Sequence, residues 1–418
     1  MSELSLPVAP ENTRPRILFV EGSTGFGGSG SVLDYFLQQF DRNLFSPYVC
    51  TYFPANSAHI HSIRSLGIPY FSLSQEHPSE PWATPIVTRS RNRWLRNAAL
   101  LVSWTYYWVR VHGWVAVQFM SLLRRERISV VVFNSDLHMH PAGIVAAKIM
   151  GKPMIVRKAG GIGEGRRLKK LLTGWVDLFI AVSDATQNDQ LQNPKTKRMV
   201  LIAEAVDPAR FRVTTCRSEA RRALGLPADQ VIVGSAARFT EGKGQKELVL
   251  AAAKVLAKRA DVLFYIAGGE DPSDAQQNML GKLKGLAREH GISDRVIFPG
   301  WRDDIENVLS ATDIFVHCPT TFIEGMCMAN LEAMACGIPT VVSRNGGLPD
   351  AVLDGVTGHI VEPGDIDGLA EAILDLIDHP DTARQMGRNG RQRVVEHFEI
   401  KQMTRAYEKL IGEYCRQT

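Results

Sequence analysis

The chain has 418 residues, 45% hydrophobic and 22% charged, with a formal net charge of +4. That length allows two domains of ordinary size, each with its own core, and a charge so near balance gives no ground for a nucleic-acid partner. The six cysteines form no Cys-x-x-Cys pair and accompany no histidine cluster of zinc spacing, so they read as reduced, buried thiols of a cytoplasmic protein.

In chain order, residues 1–14 are polar, carry Pro7 and Pro10, and read as a disordered tail rather than a signal peptide. Strand-like runs then recur at 16–20, 48–53, 130–133, 154–156, 178–181 and 200–202, with helix-like runs between them. After Asp207 the pattern restarts at 231–236, 263–267, 296–298, 314–317, 340–342 and 359–361. Such alternation predicts an α/β protein built of two Rossmann-like parallel-sheet domains in series.

After the first strand, Gly25-Phe26-Gly27-Gly28-Ser29-Gly30 has the form Gly-x-Gly-x-x-Gly of a dinucleotide site. A ribose-binding acid should then end the second strand, yet none lies between Asp41 and Glu76, which argues against a nicotinamide cofactor. From 88 to 127 the chain carries eight arginines against one glutamate, with Trp94, Trp104, Trp108 and Trp114. Arg110 interrupts the apolar centre, 98–123, leaving pieces too short to span a bilayer. Two readings stand: a long core helix, or a helix with one face in its domain and the other on an anionic membrane. Arg157, Lys158, Arg166, Arg167, Lys169 and Lys170 read as a second basic patch. The strand at 130–133 leads to Asn134-Ser135-Asp136-Leu137-His138-Met139-His140-Pro141, which places both histidines at the carboxyl edge of the sheet.

In the second half, the strand at 231–236 runs into Arg238-Phe239-Thr240-Glu241-Gly242-Lys243-Gly244. Two cations at a strand's carboxyl end, on a backbone that glycines let turn, form a diphosphate clamp. Trp301 falls after the strand at 296–298, placed either to stack on a base or to pack in its own domain. The strand at 314–317 leads through Glu324-Gly325-Met326-Cys327 into a helix from Met328 to Cys336 that carries Glu332 and stops at Gly337 and Pro339. A helix N-terminus there attracts phosphate, and carboxylates beside it accept sugar hydroxyls, so the pattern suits a ligand that is part phosphate and part sugar. Asp365-Ile366-Asp367 has the Asp-x-Asp form of a metal site but opens a helix, and reads as N-cap and first-turn acid.

The stretch from Glu324 to Glu332 resembles the Glu-seven-residues-Glu motif of family 4 glycosyltransferases, and the resemblance covers nearly all of residues 200–395. It implies the two-domain GT-B fold: a first, acceptor-binding domain of residues 15–206 joined by the C-terminal helix, 396–418, and a second, donor-binding domain of residues 207–395. It also implies a retaining transfer from a nucleotide diphosphate sugar, with no metal or other cofactor and no protein nucleophile. By that resemblance Glu324 contacts hydroxyls of the transferred sugar, Glu332 the ribose, and Arg238 with Lys243 the diphosphate. The Gly27-Gly28 loop closes over the donor from the opposite domain, and His140, with His138 as its alternate, hydrogen-bonds the sugar. The backbone of Gly325, Met326 and Cys327 approaches the donor, as do Gly346 and Gly347. Two departures stand out: Met326-Cys327 where many members have Phe-Gly or Met-Pro, and Glu204-Ala205 where the linker usually has Asn-Gly.

The expected acceptor is a saccharide or a lipid-linked group in cell-surface polysaccharide or glycolipid assembly, with residues 88–127 offering peripheral contact at the inner membrane face. A GT-B nucleotide-sugar epimerase and a non-catalytic sugar-nucleotide-binding module are the alternatives.

Overall fold

Seven parallel strands form the first sheet: β1 Arg16–Glu21, β2 Ser46–Thr51, β3 Tyr70–Ser72, β4 Val130–Phe133, β5 Met154–Lys158, β6 Leu178–Ala181 and β7 Met199–Leu201, in spatial order β3-β2-β1-β4-β5-β6-β7. Six more form the second: β8 Val231–Ala236, β9 Val262–Ala267, β10 Val296–Ile297, β11 Ile314–His317, β12 Thr340–Ser343 and β13 Gly358–Val361, in order β10-β9-β8-β11-β12-β13. The computed structural model describes residues 14–22, 28–53, 57–74, 112–160, 171–212, 216–270 and 278–416. Strands β4, β5, β6, β9, β11 and β12 are buried along their whole length, as in the Val-Val-Val-Phe of β4, because helices cover both faces of each sheet.

Among the described residues the helices of the first half are α1 Gly28–Gln39, α2 Ser57–Ser65, α3 Trp114–Arg125, α4 Pro141–Ile149 and α5 Asp184–Leu191. Those of the second are α6 Arg217–Ala223, α7 Gln245–Leu256, α8 Met279–Glu289, α9 Ile305–Ala311, α10 Met328–Ala335, α11 Leu348–Ala351, α12 Ile366–Asp378, α13 Pro380–His397 and α14 Ile400–Cys415. In each sheet the strand order reverses beside its first strand, between β1 and β4 and between β8 and β11, and loops leaving the carboxyl ends of such a pair diverge to leave a crevice.

Two stretches connect the halves, and they lie side by side. Val206 N–H donates to Phe398 O (3.0 Å) and Ile400 N–H to Val206 O (2.9 Å). Beyond this crossing α14 packs on the first half: Tyr407 meets Phe36 of α1 edge-on at 5.3 Å, and Glu408 accepts from the Asp41 N–H at 2.6 Å. Asp365 caps α12 by accepting from the Gly368 N–H at 2.9 Å, so it acts as an N-cap.

The basic segment divides. Residues 88–111 lie outside the described residues, while α3 packs Val115, Phe119, Leu122 and Leu123 into the first core and turns Trp114 (59% exposed) and Val117 (54%) outward. No helix among the described residues is long and apolar enough to cross a membrane. Arg157 and Lys158 do not form a surface patch. Arg157 is buried, ion-paired with Glu204 and donating to Asn134 O at 2.8 Å; Lys158 is buried against Asp189 (3.1 Å) and Asp136 (3.5 Å). The linker departure thus has a physical reason, since Glu204 supplies the counter-charge of Arg157. Arg166, Arg167, Lys169 and Lys170 lie outside the described residues.

Candidate active site

The loops after β8 and β11 meet because those strands are neighbours, and glycine makes the meeting possible. Gly244 has φ +87°, and a Cβ there would lie 1.9 Å from the Cys318 carbonyl oxygen. Gly242, with φ +82°, accepts from the Thr320 N–H at 2.7 Å. Between these two contacts Lys243 is pinned against the second loop. Its Nζ donates to Glu324 Oε1 at 2.6 Å and sits 4.0 Å from the centre of the Phe322 ring.

Glu324 is held from its other sides as well. His317, the last residue of β11, donates from Nε2 to the same Oε1 at 2.9 Å, and the Glu324 N–H donates to Asn345 Oδ1 at 3.2 Å. Burial alone would raise the Glu324 pKa, but Lys243 and then His317 outweigh it and hold the carboxyl down to about 2. His317 shows the converse. Burial lowers it, and the Cys327 sulfur and Glu324 carboxylate more than reverse that, taking it up to about 9.

Glu332 sits in the second turn of α10 without a cation so close. Burial pushes its carboxyl up to about 7 against the opposing pull of Arg210. Tyr35, from α1 of the first half, donates to Glu332 Oε1 at 3.4 Å. Arg210 lies over the Tyr35 ring at 5.0 Å and pairs with Glu306 at 2.7 Å.

These groups face one cavity of about 360 Å³, a size suited to a small molecule. Arg238, Lys243, His317, Glu324, Met326, Cys327 and Glu332 line it from the second half; Gly28, Ser31 and Tyr35 line it from the first. Its far end is walled by Ala237, Gly268 and Trp301. Gly268 has φ +154°, and a Cβ there would lie 1.9 Å from the Ala237 carbonyl oxygen, so the wall is bare backbone. Trp301 is 45% exposed and donates to Asp303 Oδ1 at 2.8 Å.

Several residues fall elsewhere. Gly27 lies outside the described residues. His140 does not line the cavity: it is fully buried, with Tyr52 Oη 3.0 Å from Nδ1 and Ser135 Oγ 2.8 Å from Nε2. Burial, aided by the charge of His138, lowers its pKa to about 3, so it is a neutral ring packed beneath the edge of the sheet. The exposed His138 does not line the cavity either. Gly325 faces the first half, where a Cβ would lie 1.7 Å from the Ala159 carbonyl oxygen. Gly346 and Gly347 support Glu324 rather than face the cavity: the Gly347 N–H donates to Glu324 O at 3.0 Å, and Gly346, with φ +54°, leaves no room for a Cβ beside that oxygen.

No motif in the sequence gives a role to His317, Tyr35 or Arg210. A histidine ending an otherwise apolar strand was the one local signal. Nothing local marked Tyr35.

The two facing parallel-sheet domains, with the cavity at their carboxyl edges, define a GT-B fold. Anabaena HepE, solved with UDP-glucose, superposes with a TM-score of 0.77 at 21% identity, over 95% of this chain and 99% of that one. Residues 217–393 match the family model described as "Glycosyl transferases group 1". The D-inositol 3-phosphate glycosyltransferase of Mycolicibacterium smegmatis is 38% identical over 202 residues, 48% of this chain and 44% of that protein. The N-acetyl-alpha-D-glucosaminyl L-malate synthase of Bacillus anthracis is 25% identical over 311 residues, 72% of this chain and 79% of the relative. This chain therefore covers under half of the first relative's length and most of the second's. The likeness to the group 1 glycosyltransferases thus lies in the second domain.

Proposed function

We propose that the chain is a retaining, metal-independent glycosyltransferase that moves a hexosyl group from a nucleotide diphosphate sugar to a saccharide or lipid-linked acceptor, in cell-surface polysaccharide or glycolipid assembly. The observation that carries this is Glu324, an ionised carboxylate fixed between Lys243 and His317 on the wall of the cavity that also holds Glu332 and Arg238. Residues 207–395 bind the donor in this reading, and residues 15–206 with 396–418 take the acceptor.

Arg238 and Lys243 hold the diphosphate and meet the charge that builds on it as the glycosidic bond breaks, where preorganised cations lower a barrier most. Because these cations supply that charge, the reading needs no metal. Glu324 accepts hydroxyls of the transferred sugar, Glu332 the ribose, and the base lies along Gly268 and Trp301. Met326 and Cys327 bring backbone to the sugar, and Gly28 covers it from the first domain. The acceptor hydroxyl attacks from the face the nucleotide leaves and gives its proton to the departing phosphate. The two relatives' names carry anionic acceptors, an inositol phosphate and a malate, and an acceptor of that kind is compatible with the reading.

The outward face of α3, with Trp114 and Val117 above Arg124 and Arg125, supports a peripheral position at the inner membrane surface of the cytoplasm. Flotation with anionic vesicles tests this, with Trp114→Ser/Val117→Ser reducing binding; equal flotation of variant and wild type defeats it.

The central test is a screen of UDP-, GDP- and ADP-sugars for binding and slow hydrolysis, with Glu324→Ala and Lys243→Ala as controls. Loss of binding or hydrolysis in both variants is expected, and unchanged behaviour in both overturns the assignment. Conversion of donor to an epimer without acceptor would move the chain to the epimerases.

A further inference from the structure

β11 runs Ile314-Phe315-Val316-His317, three buried apolar residues and then a buried imidazole that lines the cavity. A core position asks for a fourth apolar side chain. Here the ring instead reaches the one carboxylate oxygen, Glu324 Oε1, that Lys243 already holds, so two cationic donors converge on a single acceptor atom at 2.9 and 2.6 Å. On the proposed reading Lys243 has a second anion to serve. A diphosphate brings about two negative charges within reach, and the flexible lysine stem lets the ammonium move toward it. A carboxylate as buried as Glu324 cannot lose its counter-charge at little cost, since an uncompensated charge there takes up a proton or swings to water. His317 sits on a strand and cannot follow the phosphate.

We propose that His317 is a positioning residue: it holds Glu324 in place through donor binding, so that Lys243 is released to the diphosphate while Glu324 Oε2 stays aimed at a hydroxyl of the transferred sugar. Cys327 belongs to the same device. It sits at the N-cap of α10 and lines the cavity with His317, and its sulfur helps to raise the pKa of that ring. This inference rests on the donor site proposed above and adds a residue to it.

Three variants test it: His317→Leu, which keeps the volume, His317→Gln, which keeps one donor, and Glu324→Gln. The probes are the sugar nucleotide that the wild type binds in the screen and the nucleoside diphosphate without its sugar, both by calorimetry. In His317→Leu the nucleoside diphosphate binds within about threefold of wild type, the extra affinity contributed by the sugar is lost, and kcat falls about 100-fold; His317→Gln recovers about tenfold of that. In a Glu324→Gln background His317→Leu has little further effect, the non-additivity of residues acting through one another. Equal loss of affinity for both nucleotides, additive effects in the double variant, or a His317→Leu enzyme equal to wild type each overturns the proposal. If His317→Leu does not fold, His317→Gln and the double-variant comparison carry the same decision. A wild type that binds none of the sugar nucleotides overturns the donor site itself, a result distinguishable from failure of His317 alone.

Discussion

The Tyr35 hydroxyl on α1 donates to Glu332 on α10 across 3.4 Å, so the first helix of one domain touches the acid assigned to the ribose in the other. The bond is long, and a ribose hydroxyl at a shorter distance replaces it at little cost. Tyr35→Phe is therefore expected to change nucleoside diphosphate affinity by less than about threefold, whereas Glu332→Ala lowers it about 10- to 100-fold. Calorimetry on the two variants checks the contrast, and equal losses would show that Tyr35 itself holds the nucleotide.

Glu332 titrates near neutrality because burial pushes it up to about 7. Only the ionised form accepts from two ribose hydroxyls at once, so affinity for a sugar nucleotide rises with pH through about 7. The diphosphate diester of a sugar nucleotide keeps its charge over that range and adds no slope of its own. Calorimetric titration from pH 6 to 8 measures the rise, and Glu332→Gln removes it. A flat wild-type profile would count against the ribose assignment.

The pair His317 and Glu324 makes stability pH-dependent at both ends. His317 is raised from 6.5 to about 9 in the folded chain, so its contribution is complete below the unfolded value and disappears as pH rises through about 9. Glu324 is lowered from 4.5 to about 2, so its contribution is present above 4.5 and is lost as pH falls through about 2. Denaturant unfolding between pH 6.5 and 9.5 is expected to show wild type losing on the order of 2 kcal/mol more than His317→Leu. Parallel curves would mean that the ring is not charged.

Gly347 stands where the two domains press together: a Cβ there would lie 2.0 Å from Gly325 O and 2.6 Å from Ser183 Cβ of the first domain. Nearby, the Asp184 N–H at the start of α5 donates to Asp350 Oδ2 across the same boundary at 2.7 Å. Gly347→Ala is expected to lower kcat/KM at least about tenfold by holding the domains apart and shifting Glu324, with the overall fold retained. Small-angle scattering reads the separation, and full activity with an unchanged scattering profile refutes the argument.

Much of the architecture was legible because it is written in local periodicity. Buried parallel strands need unbroken apolar runs, so β4 and β11 were marked by their own residues, as was α10 by its stop at Gly337 and Pro339. The limits were equally physical. Position at the sheet edge reads His140 as a cleft residue and the cluster of bases reads Arg157 as part of a surface patch, yet burial depends on what packs around each: Tyr52 and Ser135 for one, Glu204 for the other. Gly325 and Gly347 read as ligand-facing because close approach of backbone asks for glycine whether the approaching group is a donor or another domain.

By itself the sequence determined the two α/β halves, the glycine-flanked cations at Arg238 and Lys243, and the spacing of Glu324 and Glu332, since each depends on residues within a turn or two of one another. Tertiary structure alone decided which of them meet. Lys243 reaches Glu324, 81 residues away, because β8 and β11 are adjacent in a sheet whose order differs from chain order. Tyr35 reaches Glu332 over 297 residues because α14 returns to pack on α1 and brings the two halves face to face. Strand order and domain docking are set by the burial of whole faces, and no local pattern of residues records them.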